Sequence, residues 1–498
     1  MGNKKSILEE LTEKNQLISA PCNGKGSCGK CRIRCLEGTL PVTAYDQATF
    51  TQEELEAGFR LACKAYSQGE TSYEVCVTTE ETFAVLGLEE SCDNTRVEGD
   101  CHIAIDVGTT TIAMCLVEQN TGAIVSSYTC VNSQRKYGSD VITRIQAANE
   151  GSLEVMQECV KRDVEQGIVQ MCRDCLIEQE QLSKVVIVAN TTMIHLLMGY
   201  SCDTLGVYPF TPFSTDIIEE SLEEVVGNRE YGNAKCIIFP SISAYIGADI
   251  VAGIYQLQMY CQPSYTLLLD LGTNGEMALC KEGTVYVAST ALGPACEGGN
   301  ISCGVGSIHG AISSVRLDGE VTHVDTIGGK PPIGVCGTGI LEGVAQLFHS
   351  NYIDATGLLE ERYFEKGFPL GIGEDGSIYA ITQQDIREIQ LVKSAIRAGI
   401  ETLLRKANVS YEEISHVYLA GGFGVFLAPS QAVLLGLFPK ELEQKLVSVG
   451  NAALNGAIAY AQRGHEQELE RIIEGAKEVE LALSDTFMEL YVEHMNFL

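Results

Sequence analysis

The sequence predicts an α/β protein in which a small cysteine-bearing domain precedes a larger region built around a repeated unit. A chain of 498 residues is too long for one hydrophobic core, so two or three domains are expected. Four cysteines fall within residues 22–35, near the start. Further along, a strand–turn–strand pattern with Asp-x-Gly-Thr at its turn occurs twice. Later strands followed by helical segments complete an α/β pattern.

The first cysteines have the spacing of an iron–sulfur loop. Cys22, Cys28 and Cys31 follow C-x5-C-x2-C, and Cys63 lies 32 positions beyond Cys31. Three cysteines on one loop with a distant fourth are typical of plant-type two-iron clusters. The pattern therefore predicts a metal cluster held by these four thiolates.

Three glycines of the same loop agree with this interpretation. A loop that wraps inorganic sulfide needs positive φ angles and a close backbone approach, and glycine permits both. Gly24, Gly26 and Gly29 are therefore expected to have positive φ.

Two other interpretations stay open. Cys35 could replace Cys63, which would give C-x5-C-x2-C-x3-C and a four-iron cluster. However, "CRIRCLEG" alternates like a strand that places Ile33 and Cys35 on one face, which favours Cys35 as a core residue. A zinc site would need a second close cysteine pair or histidines, and the sequence has none nearby.

The segments "GKGSCGKC" and "RLAC" resemble the cluster-binding motifs of the 2Fe–2S ferredoxin domain family. The resemblance implies a ferredoxin-like β-grasp fold and a 2Fe–2S cluster on Cys22, Cys28, Cys31 and Cys63. Such domains open with a β-hairpin, whereas "SILEELTEKNQLISAP" reads as a helix and a short extended piece. The first hairpin is therefore expected to be missing, leaving a sheet edge for a neighbouring domain, a subunit or an upstream segment to cover.

The repeated unit predicts a pair of phosphate-binding hairpins. In "CHIAIDVGTTTIAMCLVEQNTGAIV" an apolar strand ends at Asp106 and a Gly-Thr-Thr-Thr turn follows. About 164 residues later, "YTLLLDLGTNGEMALCKEGTVYVAS" repeats the design with Asp270. Exposed N–H groups in such turns bind anionic oxygens, and an Asp at each strand end can hold hydrated Mg²⁺. One copy would be an ordinary turn, but two copies favour phosphate binding.

Three glycine-containing segments follow in order. They are "GVCGTGILEGVAQLF" (334–348), "VYLAGGFGVFL" (417–427) and "LVSVGNAALNGAIAYA" (446–461). The ordered set resembles the actin/sugar-kinase/heat-shock-protein-70 superfamily of ATPases over roughly residues 101–463. The resemblance implies a two-lobed actin-like fold that clamps ATP with Mg²⁺.

This resemblance assigns roles to individual residues. Asp106 and Asp270 are expected to be catalytic, and the second connecting helix is expected from Gly450 onward. The expected nucleotide contacts are Gly108, Thr109, Thr110 and Thr111 in the first phosphate motif, Gly272, Thr273, Asn274 and Gly275 in the second, Gly337, Thr338 and Gly339 at the first connecting helix, and Gly421 and Gly422 in the adenosine motif.

The two halves together resemble the reductive activators of corrinoid proteins, with supporting words "NTTMIHLLMG", "GPACEGGNISCGVGSIHGAI" and "ITQQDIREIQLVKSAI". This implies ATP-dependent transfer of an electron from the 2Fe–2S cluster to the cobalt of a corrinoid protein, Co(II) to Co(I), in an anaerobic methyl-transfer system. An upstream electron donor is implied as a second partner. The alternatives are a donor to another low-potential metalloprotein, a nucleotide-gated redox sensor, and a metabolite kinase, which would not need the ferredoxin domain.

Composition excludes several other classes of protein. A formal charge of −32 argues against nucleic-acid binding. The sequence contains no apolar run of 18 residues, so no membrane span is predicted. Twenty cysteines without a secretion signal favour a reducing, cytoplasmic location. A homodimer is one option for the oligomeric state. The expected domains are 1–78 (ferredoxin-like), 79–100 (linker), 101–262 (lobe I), 263–465 (lobe II) and 466–498 (C-terminal extension).

Overall fold

The computed structural model describes residues 5–13, 24, 26, 29, 31–66, 71–75, 97, 99–138, 140–272, 274–319, 321–374, 376–421 and 428–497. The chain forms two compact units. One comprises Met1–Thr82 and Gln134–Arg144, and the other comprises Phe83–Ser133 and Ile145–Leu498. The predicted boundaries counted Gln134–Arg144 within lobe I, whereas its contacts group it with the N-terminal unit.

The strands of the described residues form two six-stranded sheets, two three-stranded sheets and one two-stranded hairpin. The strands are β1 (Arg32–Glu37), β2 (Phe59–Leu61), β3 (Ser72–Val75), β4 (Cys101–Val107), β5 (Thr111–Glu118), β6 (Ile124–Val131), β7 (Leu182–Ala189), β8 (Ile218–Ser221), β9 (Lys235–Ile238), β10 (Tyr265–Leu271), β11 (Asn274–Lys281), β12 (Thr284–Ala291), β13 (Ala311–Asp318), β14 (Val321–Thr326), β15 (Gly334–Val335), β16 (Phe368–Ile372), β17 (Ile378–Ile381), β18 (Ile414–Ala420), β19 (Leu446–Gly450) and β20 (Ala476–Glu478). One of the three-stranded sheets joins β13, β14 and β15.

Helices flank these sheets. They are α1 (Ile7–Glu13), α2 (Ala44–Thr49), α3 (Gln52–Glu56), α4 (Val141–Ala147), α5 (Leu153–Asp174), α6 (Thr191–Met198), α7 (Leu222–Val226), α8 (Ala248–Gln256), α9 (Gly337–His349), α10 (Gln383–Ala407), α11 (Pro429–Leu434), α12 (Ala452–Arg463), α13 (Glu466–Gly475) and α14 (Asp485–Glu493). Within the described ranges, no helix combines the length and apolar character that crossing a membrane requires.

The N-terminal unit contains an antiparallel sheet in the order β2–β1–β3. Ile33 on β1 is fully buried, and Cys35 packs partly buried against the same core, as the alternation predicted. Helix α1 is held by a backbone bond from Ile7 N to Ala65 O at 2.9 Å. The predicted first helix is therefore confirmed, and no strand precedes it in the part of the chain described. The extended piece predicted after it lies outside the described residues.

The second unit contains two six-stranded sheets of the same design. The first has the order β6–β5–β4–β7–β9–β8, and the second has the order β19–β18–β10–β11–β12–β20. In each, three antiparallel strands (β4–β6, β10–β12) are extended by a parallel strand beside the first of them (β7, β18). The repeated sequence unit thus forms the three antiparallel strands that the two sheets share, and the two-lobed actin-like fold is confirmed.

Two helices join the lobes and pack against each other. Helix α8 runs from the first sheet to β10, and α12 leaves β19 and packs against β4 and β7. At their crossing, a Cβ built on Gly456 would lie 2.2 Å from the backbone oxygen of Ala252. Glycine is therefore required there by close approach of two backbones.

The first connecting helix was expected to begin at Gly337, and this assignment is wrong. Helix α9, which begins there, follows β15 and packs against β13 within the second lobe. Helix α8 makes the connection instead. The glycine-rich start of α9 has another cause, since a Cβ on Gly339 would lie 2.1 Å from Ile312 O.

Residues beyond 465, predicted as an extension, are integrated into the second lobe. Strand β20 pairs with β12, and α14 packs on α10. The buried Lys393 Nζ donates to Asn496 O at 2.6 Å, which fastens the end of the chain to α10.

Candidate functional site

The first predicted phosphate hairpin joins β4 to β5 and is closed by a bond from Gly108 N to Thr111 O at 3.0 Å. Three asparagine amides contact it from three different elements. The Nδ2 atoms of Asn132, Asn190 and Asn451 donate to Gly108 O at 2.9 Å, Thr109 Oγ1 at 3.1 Å and Asp106 Oδ2 at 2.7 Å, respectively. The hairpin is therefore held in one conformation before any ligand binds.

The second hairpin joins β10 to β11 in the same way, with Gly272 N donating to Asn274 O at 2.9 Å. Gly421, which follows β18, lies directly beside it. Gly421 has φ of 83°, and a Cβ there would lie 2.8 Å from Asp270 Oδ1. The structure thus places Gly421, the described residue of the predicted adenosine motif, beside the second aspartate. Thr273 and Gly422 lie outside the described residues.

Four carboxyl groups, carried by β4 and α8 and by β10 and β11, interact electrostatically where the two lobes meet, a place called the cleft below. Each side chain is half-buried. Burial, and next the nearby Asp249 and Asp106, raise the pKa of Asp270 to about 7. Burial raises the pKa of Asp106 to about 7, although the bond from Asn451 opposes this rise. The cleft therefore concentrates negative charge that burial disfavours.

Asp249 and Glu276 complete this group. Burial raises the pKa of Asp249 to about 6, while a bond from Ile250 N opposes the rise. Burial, then Asp249 and Asp270, raise the pKa of Glu276 well above its ordinary value. In the described part of the chain, no cationic side chain is among the groups that shift the pKa values of these four carboxyl groups.

This donor set suits a hydrated divalent cation. Carboxylate oxygens are hard ligands of the kind that Mg²⁺ prefers. Among the described residues, no three acidic, histidine or cysteine side chains lie close enough to coordinate one ion together. Mg²⁺ keeps several waters and uses one or two carboxylates plus phosphate oxygens, so a pair such as Asp106 and Asp270 fits it.

Gly337, Thr338 and Gly339 are buried within the second lobe. A Cβ on Gly337 would lie 1.9 Å from Cys296 O, and Thr338 Oγ1 is 3.2 Å from Cys336 Sγ. Backbone packing thus accounts for the small residues here, and their part in nucleotide binding stays a prediction.

Two of the four predicted cluster ligands are among the described residues. Cys31 and Cys63 are both buried, and a backbone bond from Ala62 N to Cys31 O at 2.8 Å joins their segments. A Cβ on Gly24 would lie 3.9 Å from Cys63 Cβ, so the loop passes beside this cysteine. Cys22 and Cys28 lie outside the described residues. Buried thiols beside a glycine loop suit a 2Fe–2S cluster.

The loop glycines have the predicted backbone conformation. Gly24, Gly26 and Gly29 have φ of 76°, 81° and 68°, so their expected positive φ values are confirmed.

Sequence reasoning missed Asp249, Glu276 and the bracing asparagines. Asn190 and Asn451 were detectable only as helix N-caps, because each Oδ1 accepts a bond from the first turn of its helix. Asp249 stands in the first turn of α8, where acidic residues are common for reasons of helix dipole alone.

Comparison with known proteins agrees with this architecture. Family profiles match for the 2Fe-2S iron-sulfur cluster binding domain (residues 2–68), the RACo middle region (101–262) and the C-terminal domain of RACo, the ASKHA domain (264–498). The corrinoid activation enzyme RamQ of Eubacterium limosum is 31% identical over 420 residues, which cover 79% of this chain and 70% of RamQ.

Two further proteins are similar. The Co(II) methylated amine-specific corrinoid protein reductase of Methanosarcina barkeri is 30% identical over 301 residues, 55% of this chain and 54% of that protein. A solved reductive activator for a corrinoid, iron-sulfur protein has a TM-score of 0.73 at 25% identity, covering 99% of this chain and 95% of that one. The chain therefore belongs to the family of reductive activators of corrinoid proteins.

Proposed function

We propose that this chain uses ATP to pass an electron from a 2Fe–2S cluster to the cobalt of a corrinoid protein, converting Co(II) to Co(I) for anaerobic methyl transfer. One observation carries the proposal: a cysteine-loop domain and a carboxylate-lined cleft with two Asp-x-Gly-Thr hairpins occur in one chain. RamQ and the Methanosarcina barkeri reductase are named for action on corrinoid proteins. A metabolite kinase would have no use for the cluster domain.

In this proposal the two hairpins hold the phosphates of ATP through their backbone N–H groups. Asp106 and Asp270 hold hydrated Mg²⁺, which neutralises charge on the phosphates. Cation binding would also offset the repulsion among the four cleft carboxyl groups, so the site favours the Mg²⁺–nucleotide complex over free nucleotide.

The need for ATP follows from redox potentials. A plant-type 2Fe–2S cluster lies near about −400 mV, and we take the Co(II)/Co(I) couple to lie lower. For one electron, each ~59 mV of shortfall lowers the equilibrium constant tenfold, so a gap of ~150 mV needs roughly 3.5 kcal/mol. Binding or hydrolysis of ATP would supply this by changing how the lobes hold the corrinoid protein, and so the coordination of its cobalt.

The test is reduction of a corrinoid protein under anaerobic conditions. The dithionite-reduced chain, freed of excess dithionite, is mixed with candidate corrinoid proteins and Mg²⁺–ATP, and the Co(I) absorption band is followed. We expect the band to form with ATP and to fail without it. The matched controls are Asp106→Ala, for the nucleotide site, and Cys63→Ser, for the cluster.

The outcomes separate the alternatives. Co(I) formation that is equal with and without ATP would remove the proposed role of the cleft. A nucleotide-gated sensor would bind ATP without turnover even beside its partner, whereas a kinase would consume ATP with a small substrate and ignore Cys63→Ser.

A further inference from the structure

Asn451 stands where the two lobes meet. It directly follows β19 of the second lobe's sheet and caps α12, which packs against β4 and β7 of the first lobe. Its Nδ2 donates to Asp106 Oδ2 at 2.7 Å, at the end of β4. A single side chain therefore joins the start of the connecting helix to the first predicted cation ligand.

The orientation of the Asn451 amide follows from its second bond. Its Oδ1 accepts from Leu454 N at 2.8 Å, which is the N-cap bond of α12. Because Oδ1 serves as the acceptor, Nδ2 is the atom that faces Asp106, and it can only donate. The distance of 2.7 Å lies at the short end of the range of N–H···O hydrogen bonds.

The other two bracing asparagines differ in origin. Asn132 follows β6 and Asn190 follows β7, so both belong to the lobe that carries the hairpin itself. Asn451 approaches from β19, an edge strand of the opposite lobe's sheet. Its bond to Asp106 therefore depends on how the lobes are arranged, whereas the other two bonds do not.

We propose that Asn451 is a positioning residue that fixes one carboxylate oxygen of Asp106 when the lobes are closed, and so turns the other oxygen toward the Mg²⁺–nucleotide complex. This inference rests on the proposed function of the cleft. It predicts that Asn451 contributes to binding of nucleotide with Mg²⁺ and contributes nothing to binding of nucleotide alone.

Two substitutions separate positioning from helix capping. Ser and Asp both cap helices about as well as Asn, so Asn451→Ser and Asn451→Asp keep the bond to Leu454 N. Ser is too short to reach Asp106, and Asp places a second carboxylate against it. Asn455→Ala is the matched control, since Asn455 lies one turn further along α12 and its Nδ2 is 3.5 Å from Val449 O.

The measurement is ATP affinity by calorimetry, once with excess Mg²⁺ and once with EDTA, beside the thermal unfolding midpoint of each variant. We expect Asn451→Ser to weaken Mg²⁺–ATP binding about tenfold, the effect of losing one bond to a charged group. Asn451→Asp should weaken it further. The affinity of Asn451→Ser in EDTA and both affinities of Asn455→Ala should match the parent, and the unfolding midpoint checks that each variant is folded at the temperature of the measurement.

Three results would overturn the inference. Parental Mg²⁺–ATP affinity in both Asn451 variants would show that the bond to Asp106 does not position it. An equal loss with and without Mg²⁺ would show a general structural role. If the parent itself does not bind Mg²⁺–ATP, the proposed function fails and the inference fails with it, which distinguishes that case from the first two.

Discussion

Replacing Gly456 with Ala tests the crossing of the two connecting helices. The new Cβ would lie 2.2 Å from Ala252 O, 2.5 Å from its carbonyl carbon and 2.7 Å from its Cβ. Carbon and oxygen atoms approach to about 3.3 Å in close helix contacts, so α8 and α12 must separate by about 1 Å. Because two of the three neighbouring atoms are backbone, rotation of a side chain cannot relieve the overlap.

Two opposing terms set the magnitude of this effect. Alanine is favoured over glycine inside a helix by about 1 kcal/mol. Overpacking costs about 1–3 kcal/mol, and contact with backbone places this case near the upper end. We therefore expect Gly456→Ala to lower the free energy of unfolding by about 2 kcal/mol. Affinity for Mg²⁺–ATP should fall as well, because α12 carries Asn451 at its start.

The assay is urea unfolding followed by far-ultraviolet circular dichroism. Gly306→Ala is the control, since nothing lies within 4 Å of a Cβ built there, and it should stay within about 0.5 kcal/mol of the parent. If Gly456→Ala proves as stable as the parent or more stable, helix propensity alone governs this position and the close crossing is refuted.

Three other predictions concern the cofactor sites. Cys63→Ser should abolish the visible absorption of the cluster while Cys35→Ser retains it, and the reverse result would transfer the ligand role to Cys35. Asp106→Ala and Asp270→Ala should each abolish ATP turnover while dithionite still reduces the cluster; full turnover in both would exclude this nucleotide site. Burial raises the pKa of Asp270 to about 7, so the folded chain retains a proton that the unfolded chain loses, and stability falls between about pH 4 and pH 7. In EDTA, the free energy of unfolding of Asp270→Asn should therefore exceed that of the parent by about 1–2 kcal/mol at about pH 8 and equal it at about pH 4. A variant that is less stable than the parent at about pH 8 would contradict this prediction.

The features that the sequence predicts well are those encoded by neighbouring residues. The hairpins at Asp106 and Asp270 follow from a few consecutive glycines and threonines between alternating apolar runs. Thr382 and Asp385 form a capping box with both of its bonds, and the pattern of such a box is equally local.

The features that the sequence does not reveal depend on distant segments. Glu276 occupies an ordinary polar position of an alternating strand, and only pairing of β10 with β11 places it opposite Asp270. Asn451 and Asp106 are 345 residues apart. The start of α9 misled the prediction because a Gly-x-Gly before a helix has the same appearance whether it approaches a nucleotide or, as here, other backbone atoms.

The carboxyl groups of the cleft lower the stability of the fold, although the proposed activity needs them. Neutral residues at Asp249, Asp270 or Glu276 would relieve repulsion in the cleft, so a screen for heat resistance alone would favour variants that have lost the proposed cation site. Occupancy by a ligand has the opposite effect, since a concentration 100 times the Kd stabilises a folded chain by about 2.7 kcal/mol. A chain supplied with nucleotide and divalent cation should therefore be more stable than the same chain without them, and its abundance in a cell should rise and fall with the concentration of ATP.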